Sequence, residues 1–338
     1  TCTLPAGVGL KQAVTVAVAG QSSGSLGWDY PAPAVAGVQP ATVPTPGALV
    51  TISGSSFGGS ATATVGGKPC KMVIGTDTQL FCLAPAGVGT GHVVAVTAGG
   101  QKSAKSSTVS YDPPTIMSVG PAGAVAGGEL TVTGANFGTS GAQVTVGGAT
   151  CALTSQTHAS VTCILPAGVG QGHDVVVAVG GQKSKAASFA YGGPKVAIIS
   201  PASAPTAGGA SLTLSGAGFG ANAGTVSVGG VDCPVNTWSA SSVTCTLAAG
   251  AGAYKAVVVT VAGETTQVGV FSYDPPSVER VLPGALRPEG GRVVTIVGQN
   301  FGVQGADVSV GGAVCAVTEQ SDAAVHCVAP TLSLGLVD

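Results

Sequence analysis

Four pairs of cysteines recur along the chain at a constant spacing, and no other feature restricts the fold as strongly. The two cysteines of a pair are 12 residues apart, and the first cysteines of successive pairs are 81, 82 and 82 residues apart. Phe-Gly dipeptides beginning at 57, 137, 219 and 301 recur at nearly the same interval, 80, 82 and 82 residues. Self-similarity at a fixed period of this length indicates a tandem array of small domains. The four pairs are Cys70/Cys82, Cys151/Cys163, Cys233/Cys245 and Cys315/Cys327.

The amino-acid usage between these landmarks predicts that each repeat is an all-β domain. Glycine and proline, 55 and 21 of the 338 residues, separate short runs in which Val and Thr alternate. No segment keeps the apolar period of a helix. In the second complete repeat, Gly147-Gly148 predicts a tight hairpin turn, and a final hairpin is expected over 174–179 and 185–191 around Gly180-Gly181. Short strands at this spacing are typical of an antiparallel β-sandwich.

The register of the repeat divides the chain into three complete units between two partial ones. The first segment is the C-terminal part of a unit and the last is the N-terminal part of one. Two junctions read Asp112-Pro113-Pro114 and Asp274-Pro275-Pro276. Because proline fixes its own φ and keeps the preceding residue extended, we expect stiff junctions and a rod that bends most easily at Gly192-Gly193. The segments are 1–33, 34–114, 115–194, 195–276 and 277–338.

The two partial units are complementary to each other. Residues 277–338 lack the final hairpin of a sandwich, and residues 13–30 match that hairpin in register. One explanation is that the sequence is a window on a longer covalent array. The other is that the N-terminal hairpin of one molecule completes the last unit of the next by strand addition, which would build an open filament. Cys2 is left unpaired within this chain.

The motifs of one unit resemble those of the IPT/TIG domain, an immunoglobulin-like sandwich of plexins, Met-type receptors, fibrocystin-like surface proteins and Rel-family transcription factors. The matching pattern is an opening Ile-x-x-x-x-Pro, paired glycines, Gly-x-x-Phe-Gly, Val-x-Val-Gly-Gly-x-x-Cys, Cys-x-x-Pro and Phe-x-Tyr. The first complete unit departs from it with Pro44-Thr45-Pro46-Gly47, and the third with Leu247-Ala248. The resemblance implies an extracellular tandem module and does not imply catalysis.

The cysteine pairs allow two interpretations, a metal site or a disulfide. A structural metal site needs four clustered ligands. His92 and His173 occupy equivalent positions, but Lys255 replaces them in the next unit. Disulfides within each unit are therefore predicted, and they place the protein outside a reducing cytosol, in the extracellular space or on the cell surface. Closing a loop of this size is worth about 3 kcal/mol in the chain-entropy model.

The charge of the chain excludes some classes of partner. Twelve Lys and Arg against 14 Asp and Glu give a formal net charge of −2, which is not the basic footprint of a nucleic-acid-binding protein. No apolar run approaches the roughly 20 residues of a membrane span. With only 8% charged residues, we expect the surface to be covered by neighbouring subunits or by glycans. No Asn-x-Ser/Thr sequon is present, so such glycans would be O-linked.

No constellation of residues predicts an active site, and no cofactor is expected. Asp112 and Asp274 could ligate Ca²⁺ at the junctions, but one carboxylate at each favours capping of a turn. The Phe of each Phe-Gly dipeptide is interpreted as a core residue beneath a loop rather than a binding residue. Trp28 and Trp238 have no aromatic or charged cluster around them in the sequence.

These observations favour a non-catalytic structural protein, an extracellular or cell-surface fibre of sandwiches joined end to end. The alternative is a receptor or adhesin ectodomain that binds a protein or glycan through its loops. Low charge and regular repetition favour the first.

Overall fold

In a computed structural model, the chain is all-β. The structure describes residues 1–104, 106–222, 224–285 and 289–331, so the last seven residues of the segment predicted at 277–338 lie outside the described residues. The chain divides into two compact units. The first holds 1–122, 127–166 and 172–189, and the second holds 123–126, 167–171 and 190–338.

The N-terminal segment is a hairpin of four short strands. β1 pairs with β4 and β2 with β3, both antiparallel, which is the arrangement predicted for residues 13–30. Its apolar side chains are exposed, among them Val16, Val18 and Leu26. The strands are β1 (Gln12–Val14), β2 (Ala17–Val18), β3 (Gln21–Ser22) and β4 (Leu26–Trp28).

The first complete domain is a sandwich whose two layers share one strand. The strands are β5 (Ala34–Gln39), β6 (Thr42–Val43), β7 (Leu49–Ser55), β8 (Thr62–Val65), β9 (Lys68–Gly75), β10 (Gln79–Leu83), β11 (His92–Ala98), β12 (Gln101–Lys102) and β13 (Ser107–Tyr111). One layer runs β5-β7-β10-β9, and the other runs β9-β8-β11-β13 with β6 parallel to β13. β9 changes layers because residues 68–70 pair with β8 whereas residues 71–75 pair with β10.

The second domain repeats this order. Its strands are β14 (Thr115–Gly120), β15 (Glu129–Ala135), β16 (Gln143–Val146), β17 (Ala149–Gln156), β18 (Ser160–Ile164), β19 (His173–Val179), β20 (Gln182–Lys183) and β21 (Ala187–Phe189). The predicted final hairpin is present, but its returning strand is interrupted between 183 and 187. The cause is local, since the hydroxyl of Ser184 accepts the N–H of Val177 at 3.0 Å in place of a regular ladder bond.

In the third domain, no strand is shared between the two layers. Its strands are β22 (Lys195–Ser200), β23 (Ser203–Ala204), β24 (Ser211–Ala217), β25 (Thr225–Val228), β26 (Val231–Asp232), β27 (Val235–Trp238), β28 (Ser242–Thr246), β29 (Lys255–Val261) and β30 (Glu264–Tyr273). The layers are β22-β24-β28-β27 and β23-β30-β29-β25-β26. The strand shared in the other domains is divided here, because Pro234 between β26 and β27 has no N–H for the ladder.

The described part of the last segment forms five strands in the order β31-β32-β35-β34-β33. They are β31 (Ser277–Leu282), β32 (Val293–Gln299), β33 (Val308–Val310), β34 (Ala313–Gln320) and β35 (Ala324–Val328). Phe57, Phe137 and Phe219 are fully buried in the three complete domains, as predicted for core residues, whereas Phe301 is only half-buried. An apolar cleft of about 590 Å³ lies beside Phe301, Ile296 and Val308.

Each core is built by alternation along the strands. In β15, for example, Leu130 and Val132 are fully buried while their neighbours are partly exposed, because successive side chains of a strand point to opposite faces. The described residues include no helix long and apolar enough to cross a membrane.

Candidate functional site at the domain junctions

The structure joins each cysteine pair by a disulfide within one domain. The Cα atoms of the bonded residues are 5.5–5.6 Å apart, and the second cysteine of every pair is fully buried. The first cysteine lies where β9 or its counterpart changes layers, so the bond fixes that strand to the neighbouring one. Cys2 is free and exposed. The bonded pairs are Cys70–Cys82, Cys151–Cys163, Cys233–Cys245 and Cys315–Cys327.

The tyrosine at the C-terminal end of each complete domain holds the loop that leads to the final hairpin of that domain. The hydroxyl of Tyr111 donates to the carbonyl of Pro85 at 2.6 Å, and that of Tyr273 donates to Ala248 at 2.8 Å. Gly87 lies against the Tyr111 ring so closely that a Cβ there would be 2.4 Å from ring carbons. Burial raises the pKa of Tyr111, Tyr191 and Tyr273 above the ordinary value of 10.0, so these phenols are neutral at physiological pH.

The same anchored loop reaches the Phe-Gly turn of the following domain. Val88 packs on Gly138, where an added Cβ would lie 2.5 Å from a Val88 methyl carbon. The contact recurs along the chain, with added-Cβ distances of 2.6 Å for Val8 on Gly58, 2.6 Å for Val169 on Gly220 and 3.2 Å for Ala251 on Gly302. The glycine of Phe-Gly therefore lets one domain approach the next.

A set of polar side chains lies beside this contact in the first compact unit. The Oδ1 of Asn136 accepts the backbone N–H of Thr45 at 3.1 Å, and its Nδ2 donates to the carbonyl of Pro113 at 3.4 Å. The Thr45 side chain is fully buried, with its Oγ1 2.8 Å from Nδ1 of His158. We call Thr45, Asn136 and His158 the polar junction.

The second compact unit contains a counterpart of the polar junction. The Oδ1 of Asn300 accepts the N–H of Thr206 at 3.4 Å, and the Nδ2 of Asn300 donates to Pro275 at 3.4 Å. The Thr206 hydroxyl donates to the carboxylate of Asp322, which occupies the place of His158. Sequence reasoning missed these residues because their partners are more than 90 residues apart. The available signal was an Asn directly before Phe-Gly in only these two domains, a residue type that tolerates the positive φ of 63° at Asn136 and 60° at Asn300.

The predicted junction residues lie beside these contacts. The backbone N–H of Asp112 donates to Val43 at 2.8 Å, and that of Asp274 donates to Ala204 at 2.9 Å. The carbonyls of Pro113 and Pro275 accept the asparagine amides described above, and Pro114 and Pro276 follow them in the chain. Among the described residues, no three His, Cys, Asp or Glu side chains lie close enough together to hold a metal ion.

Comparison with known proteins identifies the domains. The family model described as IPT/TIG domain matches residues 33–111, 114–191, 194–273 and 276–338. Fibrocystin-L of Mus musculus is 28% identical over 296 residues, which are 82% of this chain and 7% of that protein. Plexin-2 of Caenorhabditis briggsae is 30% identical over 211 residues, which are 57% of this chain and 12% of that protein.

The chain thus spans a small fraction of the length of both relatives. Among solved structures, the full extracellular region of plexin A4 aligns with a TM-score of 0.25 at 18% identity, covering 88% of this chain and 29% of that one. The resemblance found in the sequence is confirmed, and so is an extracellular or cell-surface location. Because the family model matches most of the chain, in four consecutive segments from residue 33 to residue 338, the chain belongs to the IPT/TIG family of immunoglobulin-like domains.

Proposed function

We propose that this chain is a non-catalytic structural segment of an extracellular or cell-surface protein, in which TIG domains joined end to end form a fibre or spacer. The observation that carries the proposal is the recurrence of one contact, the anchored loop of a domain on the Phe-Gly turn of the next. A head-to-tail contact repeated along a chain sets the spacing of its domains without any ligand. O-linked glycans on the abundant Ser and Thr would cover the weakly charged surface and keep it hydrated.

The experiment compares the flexibility of the native domain junctions with that of junctions whose prolines have been replaced. Small-angle scattering and electron microscopy would be applied to the purified chain and to a variant in which Pro113-Pro114 and Pro275-Pro276 are both replaced by Gly-Ser. We expect a narrow distribution of interdomain angles that broadens in the variant, because both restrictions on φ are lost. A wild-type chain as variable as the variant would contradict a structural role.

A second candidate function is assembly of separate chains by strand addition. The cleft beside Phe301 is lined by apolar side chains, and the exposed hairpin β1–β4 carries apolar residues in the register of the hairpins that close the complete domains. Val94 and Val96 occupy the matching positions in the hairpin that closes the first complete domain, and both are fully buried there. A hairpin of this register, from whichever chain supplies it, would complete the last sandwich.

Sedimentation of the purified chain tests this candidate. Concentration-dependent end-to-end association is expected, and deletion of residues 1–33 should abolish it. A peptide of residues 1–33 should then bind the shortened chain in a one-to-one ratio. A chain of residues 1–338 that stays monomeric at high concentration would rule out assembly by this route. Mass spectrometry of the reduced polypeptide isolated from its natural source gives a further check. A mass much greater than 32.0 kDa would show that these ends are internal to a larger chain.

A further inference from the structure

A small pocket in the first compact unit is lined by one lysine and two histidines. It has a volume of about 210 Å³ and lies where the first complete domain meets the Phe-Gly turn of the second. Lys68 and His92 line it from one domain and His158 from the other. No Asp or Glu is among the described residues that line it. In a chain with 12 Lys and Arg and four His, this convergence sets the pocket apart.

The two histidines are held in place by the protein. The Nε2–H of His92 donates to the carbonyl of Val88 at 2.8 Å, and its ring meets Tyr111 edge-on at a centroid distance of 5.1 Å. The Nδ1 of His158 lies 2.8 Å from the buried Thr45 hydroxyl. Both rings are half-buried, whereas Lys68 is exposed and can move toward a ligand. The site is therefore positioned before any ligand arrives, which lowers the ordering cost of binding.

The positions of Lys68 and His158 are not basic in the other domains, whereas that of His92 is occupied by His173 and Lys255 in the next two. Lys68 follows the tight turn after β8, and Ala149, Val231 and Ala313 have the same place after β16, β25 and β33. The carbonyl of His158 accepts the N–H of the Phe of Phe-Gly, a position held elsewhere by Asp77, Ala240 and Asp322. The fold therefore does not require a basic residue at the positions of Lys68 and His158, and the combination of all three basic residues occurs at this junction.

We propose that this pocket binds a small carboxylate ligand of the size of one acidic sugar. Three cationic or cationisable groups converge on it, and the hydroxyls of Thr139 and Ser140 on its wall can hydrogen-bond to a polyol. The volume is below the roughly 300–1,000 Å³ of drug-sized sites, which limits the occupant to one such unit, free or at the end of a glycan. The Tyr111 phenol stays neutral because burial raises its pKa, so it does not repel the ligand.

The titratable groups that face the pocket are Lys68, His92, His158 and Tyr111. The lysine ammonium and the imidazole N–H groups are hydrogen-bond donors that suit an anion, and a charge-assisted hydrogen bond is stronger than a neutral one. The inference rests on this pocket alone and does not depend on whether the array forms a fibre.

The test is calorimetric titration of the whole disulfide-bonded chain with D-glucuronic acid, D-glucose and inorganic sulfate. Glucuronate is expected to bind and glucose is expected not to bind, because only the acid carries the carboxylate that the basic side chains would hold. Sulfate that binds as well as glucuronate would overturn the sugar assignment. Failure of glucuronate to bind, or equal binding of glucose, would overturn the proposal.

Two of the test variants introduce residues that other domains of this chain carry at the equivalent positions. His158→Asp introduces the carboxylate found at Asp322 and should abolish binding, whereas Lys68→Ala introduces the residue found at 149 and 313 and should weaken it about tenfold. Lys68 is exposed, so Lys68→Ala keeps the test valid if His158→Asp does not fold. His173→Ala alters the equivalent histidine of the next domain and should leave glucuronate binding unchanged. Retained binding in Lys68→Ala would contradict the assigned site.

Discussion

At the scale of single residues, the closing tyrosines couple the stability of the domains to alkaline pH. Folding favours the neutral phenol, since burial raises the pKa of Tyr111, Tyr191 and Tyr273. That contribution is fully present below the ordinary pKa of 10.0 and is lost as the pH rises through the folded-state value. We expect the thermal midpoint of unfolding to decrease as the pH is raised above 10. The measurement uses a Cys2→Ser background, because a free thiol could exchange with the disulfides at high pH.

Replacement of the three tyrosines by Phe provides the control. The triple variant loses hydroxyl hydrogen bonds such as Tyr111 to Pro85 and should be less stable at neutral pH by about 1 kcal/mol per site. Its thermal midpoint should then depend less on pH in the alkaline range. An unchanged alkaline slope would show that other groups cause the loss of stability. Tyr254→Phe, at a residue that is 78% exposed, should have no measurable effect on the neutral-pH midpoint.

At the scale of elements, each disulfide stabilises the strand that passes between the two layers. Cys151 and Cys163 close a loop with a sequence separation of 12 residues, and removing such a crosslink frees the unfolded chain. We expect Cys151→Ala/Cys163→Ala to destabilise its domain by about 3 kcal/mol in urea titrations. Cys2→Ser, at the exposed free cysteine, is the control and should leave the urea midpoint unchanged. A double variant as stable as the control would refute the structural role of the disulfide.

The strands and the family could be predicted from the sequence because their signals are local or strictly periodic. Val144-Thr145-Val146 with Gly147-Gly148 specifies a hairpin within a few residues, and β16 and β17 pair as expected. The interruption by Ser184 was missed, although Ser23 and Ser103 accept the N–H groups of Val16 and Val96 in the same register. The division at Pro234 could have been found, because proline cannot donate to a ladder.

The candidate site was less accessible to sequence reasoning than the fold. Thr45 and His158 are separated by 113 residues, and His158 is replaced by Asp322 in the counterpart of the polar junction. Asn136 occurs within Gly-x-x-Phe-Gly, but its two hydrogen bonds reach residues of the preceding domain. A pattern that repeats within one domain describes that domain's fold, whereas contacts between domains depend on residues in which the repeats differ. The junction prolines were found because proline restricts the backbone wherever it occurs.

At the scale of the whole molecule, we expect the close contact between the Phe-Gly turn and the preceding loop to set the spacing of the domains. Gly138 has a φ of 70°, and a Cβ there would overlap Val88. Gly141 has a φ of 75° and open space where a Cβ would lie. Gly138→Ala and Gly141→Ala therefore impose a similar backbone strain of about 1–2 kcal/mol, but the first also forces the two domains apart.

Small-angle scattering of the disulfide-bonded chain should separate these two effects. We expect Gly138→Ala to change the pair-distance distribution, while Gly141→Ala keeps the wild-type curve despite a similar loss of domain stability in urea. Adding Val88→Ala should restore the wild-type distribution to the Gly138→Ala chain, because Ala251 already serves at the corresponding position against Gly302. Should Gly138→Ala scatter like Gly141→Ala, the repeated loop contact would not set the spacing of the domains.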